Sequence, residues 1–288
     1  MKRVAASGLA AATLLVAVSA VASLPTLAPK PPPALALDLP APPAPVRPRR
    51  VASLNLCTDE LALLLAAPGQ LVSISRLGAE PRETPVATRA RGLARNRGRV
   101  TDIVALQPDL VLTSAGDASA ATAARRLGFA VVNVVQPRSL AEVSANIRQV
   151  ARALDRAAAG EALIARMLAD LGPRPSAPVP ALIIGGGGQT IAADGLSAQW
   201  LRHAGLQQQR VTRGQVDLER LLSDPPQVLV ISRYYPGQMS ANQNWLAHPA
   251  IAALPAAVQR IETDGRVWTC GGPLVAAEVA RLRALVRR

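Results

Sequence analysis

An alternation repeated along this chain limits its fold more than any other feature. Short apolar runs alternate with segments of helical period over residues 50–135 and again over 181–286. Strands joined by helical crossovers pair in parallel, because each crossover returns the chain to the same end of the sheet. In the first series Arg50-VASLN, Leu71 to Ser75, Asp109-LVLTS and Ala130 to Val135 read as strands. Thr58 to Ala66, Asp102 to Leu106 and Ala118 to Leu127 read as helices, the first capped by Thr58 or Asp59. In the second series Ala181-LIIG, Gln227-VLVIS and Arg266-VWTC are the strands. Ser197 to Ala204, Leu218 to Leu222, Asn244 to Leu254 and Val275 to Val286 are the helices. Between the two series, Ser139 to Leu171 has almost no breakers and carries apolar residues at helical spacing behind a Ser139–Glu142 capping box. It predicts one long helix, or two nearly collinear ones broken within Arg152 to Gly160. The expected fold class is α/β: two Rossmann-like lobes with parallel-type sheets joined by a long rigid helix.

The N-terminus obeys different rules. Lys2 and Arg3 precede an apolar run from Val4 to Ala20, and Ala20-Val21-Ala22 is a small-x-small site. This pattern predicts a cleavable signal peptide over 1–22 and export to the periplasm. The alternative is an uncleaved signal anchor, since the apolar run nearly reaches spanning length. Pro25 to Pro48 holds ten of the 25 prolines, so 23–48 reads as an extended tether. The N-terminal lobe then occupies 49–138, the connecting helix 139–172 and the C-terminal lobe 173–288.

The net charge is +13, and Lys2 and Lys30 are the only lysines among 32 basic residues. A nucleic-acid partner is not expected: the arginines lack interleaved aromatics, and export removes the chain from such partners. The basic surface suits anionic ligands or an anionic membrane surface. His203 and His248 are the only histidines, too few for a bare transition-metal site, and His248 reads as a packing or capping residue. Gly185 to Gly188 lacks the residues of a phosphate loop and reads as a flexible loop. No cofactor or metal is expected.

Two cysteines, Cys57 and Cys270, are the only thiols. Each is placed at the carboxyl end of an expected strand, the end that faces a ligand crevice in open α/β sheets. As a disulfide they would tie the lobes together, and an exported chain favours that state. As free thiols they would line the crevice, where either could also serve an exported enzyme as nucleophile. Asn55, Leu56 and Thr58 beside the first, and Trp268 and Thr269 beside the second, become candidate ligand contacts. Arg76, Arg95, Arg97 and Arg233 are the electrostatic candidates, since guanidinium forks suit carboxylate and catecholate oxygens. Tyr234 and Tyr235, just after a strand, could pack a chelate ring.

The chain resembles the periplasmic substrate-binding proteins of ABC importers for ferric siderophores and cobalamin. Ser53-LNLCTDELALLLA is similar to that family's first strand and helix, and Asn96-RGRVTDIVALQPDLVL to its N-lobe signature. Leu127-GFAVVNV, Asn244-WLAHPAIAALPA and Val267-WTCGGPL resemble later segments. The resemblance implies a monomer with a ligand cleft between the lobes and no chemistry of its own. It implies a small-molecule ligand, either a ferric siderophore or similar iron chelate, or a corrinoid. It also implies a permease and ATPase complex as partner, docked through Asp102 and Glu219.

Overall fold

The computed structural model describes residues 47–234 and 240–286, so the expected signal peptide, nearly all of the tether and Tyr235 lie outside the described residues. The first sheet has five parallel strands: β1 (Val51–Ser53), β2 (Leu71–Ser75), β3 (Ala94–Asn96), β4 (Leu110–Ser114) and β5 (Ala130–Val134), in the order β3-β2-β1-β4-β5. Helix α1 (Leu56–Leu65) crosses from β1 to β2, and α2 (Ala118–Arg126) from β4 to β5. The cap of α1 is Asn55, whose side chain accepts from the Cys57 amide, rather than Thr58 or Asp59. Two 3-10 turns, Val100–Asp102 and Val104–Leu106, replace the single short helix expected there. Strand β3 was hidden within the arginine-rich run. It is held by polar contacts that hydrophobic patterning does not register: buried Asn96 donates to the Ser53 carbonyl and to Ser73 Oγ.

The connecting segment is broken within Arg152 to Gly160, as the second alternative has it, but its two helices are not collinear. Helices α3 (Leu140–Ala153) and α4 (Ala157–Leu171) are separated at Leu154–Arg156, where Asp155 takes a left-handed φ of 55°. A positive φ reverses the chain instead of continuing the helix. The two helices therefore lie antiparallel, not collinear: Arg148 pairs with Glu161 at 2.7 Å, and Gly160 packs directly on Ala151. A Cβ added to Gly160 would stand 2.5 Å from the Ala151 Cβ. Gly160→Val is thus expected to push α3 and α4 apart and cost about 1–3 kcal/mol, read as a fall in the urea midpoint. An unchanged midpoint would show that the helix pair yields freely.

The second sheet has four parallel strands: β6 (Val179–Ile184), β7 (Leu206–Gln208), β8 (Val228–Arg233) and β9 (Gln259–Asp264), ordered β7-β6-β8-β9. Helices α5 (Leu196–His203), α6 (Leu218–Ser223), α7 (Ala241–Leu246) and α8 (Pro249–Ala252) pack around it. The single helix expected over Asn244 to Leu254 is split into α7 and α8 at His248, which caps α8. A larger correction concerns Arg266-VWTC: it is not a strand but contains α9 (Gly265–Trp268), and the strand is β9 before it. The Asp264 side chain accepts from the Arg266 amide and starts this turn, overriding the β preference of Val and Trp. The chain closes with α10 (Val275–Leu285).

One apolar core serves both sheets. Val51, Leu61 and Leu112 of the first lobe join Ile147, Leu163 and Met167 of the helical pair, then Ile183, Trp200 and Val279 of the second. Each large buried side chain contributes about 1.5–3 kcal/mol, so the joint between the lobes is a packed solid rather than a linker.

Candidate functional site

The carboxyl ends of the two sheets converge, and the meeting point is covalent. Cys57, in the first turn of α1, is bonded to Cys270, which follows α9. Their Cα atoms are 5.2 Å apart across 213 residues of sequence, within the range a disulfide requires. Neither cysteine is free, so neither is a thiol nucleophile. Of the neighbours expected to face a ligand, Asn55 is spent on the helix cap and Leu56 is buried. Thr58 is buried too, with its hydroxyl shared between Ser53 and the Asn55 carbonyl.

Behind the bond lie two carboxyl groups that have no cationic partner among the described residues. Asp59 and Glu60 are 0% and 2% exposed. Ser75 donates to Asp59 through its hydroxyl at 2.5 Å and its amide at 3.2 Å, and Thr84 donates its hydroxyl to Glu60 at 2.8 Å. Burial pushes both carboxyls up to about 7, and the charge of Asp59 adds to the effect on Glu60. Gly78 has to be glycine here, because a Cβ would fall 2.5 Å from the Asp59 carboxylate. A cavity of about 30 Å³ next to Glu60 is also lined by Asn146, Pro273 and both cysteines. It has room for one or two waters. The pair has one sequence signal, two adjacent acids inside an otherwise apolar helix, of which only Asp59 enters the sequence reading, as a possible cap.

The second lobe supplies the other wall. Tyr234, just beyond β8, shares a 2.5 Å hydrogen bond with Thr269. Burial raises its phenol above the usual range, with further upward pressure from Glu83, Glu60 and Asp264. Those carboxylates come from both lobes, so Tyr234 stands between them. Arg266, clamped by Asp264 at 2.6 Å, donates to the Pro81 carbonyl at 2.6 Å and bridges the lobes directly. Sequence reasoning missed this residue because it had been placed inside a strand. Trp268 donates to Thr263 and packs on the shared core. Arg233 is paired with Glu262 at 2.7 Å.

Arg76, Arg95 and Arg97 are exposed and gather at the edge of the first sheet. Ile74 is in register with Arg95, and the Arg76 amide donates to the Asn96 carbonyl at 2.8 Å. Asp102 accepts from the Arg97 amide at 2.7 Å, which spends part of its capacity within the loop. Glu219 is exposed in the first turn of α6, on a groove of about 940 Å³ that Trp245 and Asn242 also line. The glycine run 185–188 forms a tight turn on α7, with Gly187 in that same groove.

Residues 51–173 match a family model described as periplasmic binding protein. No curated protein sequence matches the chain. Among solved structures, the heme-binding protein HutB of Vibrio cholerae has a TM-score of 0.66 and 19% identity, covering 83% of this chain and 99% of its own. A periplasmic heme-binding protein from Pseudomonas aeruginosa gives 0.60 and 20%, covering 82% and 92%. The vitamin B12 binding protein BtuF of Vibrio cholerae gives 0.57 and 19%, covering 83% and 96%. At these identities the likeness is one of fold.

Proposed function

We propose that this chain is a periplasmic binding protein, the solute-binding component of an ABC importer, a reading supported by the match over residues 51–173 and by its two parallel-sheet lobes. Its solute is a ferric siderophore or a similar iron chelate, captured in the periplasm and passed to a membrane permease. It is a binding protein rather than an enzyme. The observation that carries this reading is the make-up of the two walls. Tyr234 stands where the carboxyl ends of both sheets meet, and Arg76, Arg95 and Arg97 sit exposed at the same end of the first sheet. The Tyr234 hydroxyl can hydrogen-bond the oxygens of a chelate, and exposed guanidinium forks suit its carboxylate or catecholate periphery. The heme-binding neighbours carry iron in a flat chelate, which supports the class. A corrinoid is the second reading, favoured by the similarity to BtuF. Glu219 is the better placed contact for a permease, since Asp102 is engaged by Arg97.

Thermal shift against hemin, ferric citrate, a ferric tris-catecholate and cyanocobalamin tests the reading. A solute at about 100 times its Kd adds about 2.7 kcal/mol, a rise of roughly 5–10 °C for a domain of this size. If no chelate moves the transition, the importer reading falls. If only cyanocobalamin does, the corrinoid reading replaces the first. Tyr234→Phe is expected to weaken binding of the iron chelate about tenfold or more, the scale of a hydrogen bond to a charged group. The free protein's melting temperature should barely move. Equal affinity would remove Tyr234 from the site.

A further inference from the structure

We infer that the Cys57–Cys270 bond holds the two walls of the proposed solute site at their working separation, and that a dithiol reductant which opens it weakens solute binding. This rests on the solute-binding reading above. The two sulfurs belong to opposite lobes and meet where the carboxyl ends of both sheets converge. Cys270 directly follows Thr269, which holds the Tyr234 hydroxyl, and Cys57 shares a helical turn with Glu60. The bond thus fixes residues of both walls at one point. On this side, the hydrogen bond named above that also crosses between the lobes is the exposed one from Arg266 to Pro81, and an exposed hydrogen bond resists water poorly. The packed joint begins directly behind the bond: Asn146 of α3 lines the same cavity as both cysteines, and Trp200 of α5 donates to the Gly271 carbonyl beside Cys270. With the bond open, Thr269 and the first turn of α1 lose their covalent tie and can separate, and ordering them again is charged against the affinity.

The exchange is balanced. One thiolate of the dithiol attacks the sulfur of Cys57, the less buried of the pair. The S–S bond breaks, and Cys270 leaves as a thiolate that takes up a proton. The second thiol of the reductant resolves the mixed disulfide, Cys57 is released as a thiol, and the reductant ends as a disulfide.

The test compares bonded protein, protein reduced with dithiothreitol and then freed of it, and the Cys57→Ser/Cys270→Ser variant. The probes are gallium(III) tris-catecholate and gallium(III) protoporphyrin, which stand in for ferric chelates and are inert to thiols. Circular dichroism confirms that each form is folded. The bonded form is expected to bind about tenfold tighter than the other two, and the small-angle scattering of the opened forms to broaden. Equal or tighter binding by the opened forms overturns the inference, as do superimposable scattering curves. If the bonded form binds neither probe, the solute-binding reading for iron chelates fails, and the scattering comparison alone decides whether the bond holds the walls.

Discussion

The folded protein is expected to lose stability as the pH rises from about 4 to about 7, against the common trend for carboxyl groups. The sign follows from Asp59 and Glu60, whose native values of about 7 lie above their ordinary 3.8 and 4.5. Below their ordinary values both states hold the protons, and the stability these groups allow is fully present. Above them the unfolded chain gives its protons up and the native chain keeps them. Stability then falls by about 1.4 kcal/mol per pH unit for each group until the native carboxyl ionises. Over roughly three units this comes to about 3–4 kcal/mol for one carboxyl, or about 10 °C in melting temperature. The exposed ion pair of Glu161 with Arg148 acts in the opposite sense, since Arg148 lowers the Glu161 value, but solvent screens it. The net charge of +13 grows in acid and also opposes the trend. The measurement is therefore a difference, between the wild type and Asp59→Asn/Glu60→Gln across that range. Asparagine and glutamine keep acceptors for Ser75 and Thr84 without a titrating proton. The melting temperature of the wild type should fall relative to the variant as the pH rises. Parallel curves would mean that the two carboxyls ionise freely in the folded state.

Patterning located the sheets because a parallel sheet buries both faces of its central strands and leaves plain apolar runs. Leu71–Ser75 was read to the residue, and Leu110–Ser114 to within one. Two short strands escaped for the same physical reason: β3 and β7 lie at sheet edges, and Arg95, Asn96, Gln207 and Gln208 give no apolar signal. The opposite error occurred at Val267 and Trp268, whose side chains prefer strands but follow a capping aspartate. The hairpin of α3 and α4 was illegible because a left-handed aspartate leaves the same helical spacing on both sides as an uninterrupted helix. At the site, chemistry-bearing residue types could be read, as Cys57, Cys270 and Tyr234 were. Burial could not, and burial is what sets Asp59 and Glu60 apart from ordinary surface acids.

Opening the disulfide is expected to cost the free protein about 5 kcal/mol. The bond spans 213 residues of sequence, and closing a loop of that length removes entropy from the unfolded chain on this scale. For a domain of this size the melting temperature should drop by roughly 10–20 °C. The effect acts on the unfolded chain, so it has a second signature. Without the bond that chain expands and exposes more surface, and the urea m-value should rise. The Cys57→Ser/Cys270→Ser variant and the reduced wild type should agree, because the serines differ from thiols by little volume, and their agreement isolates the cross-link from the side chains. A native-state account predicts otherwise: if the bond mattered only by packing at its own small cavity, the loss would stay near 1 kcal/mol with the m-value unchanged. A fall of less than about 3 °C, the scale of 1 kcal/mol here, would therefore show that the bond does not restrict the unfolded chain on this scale.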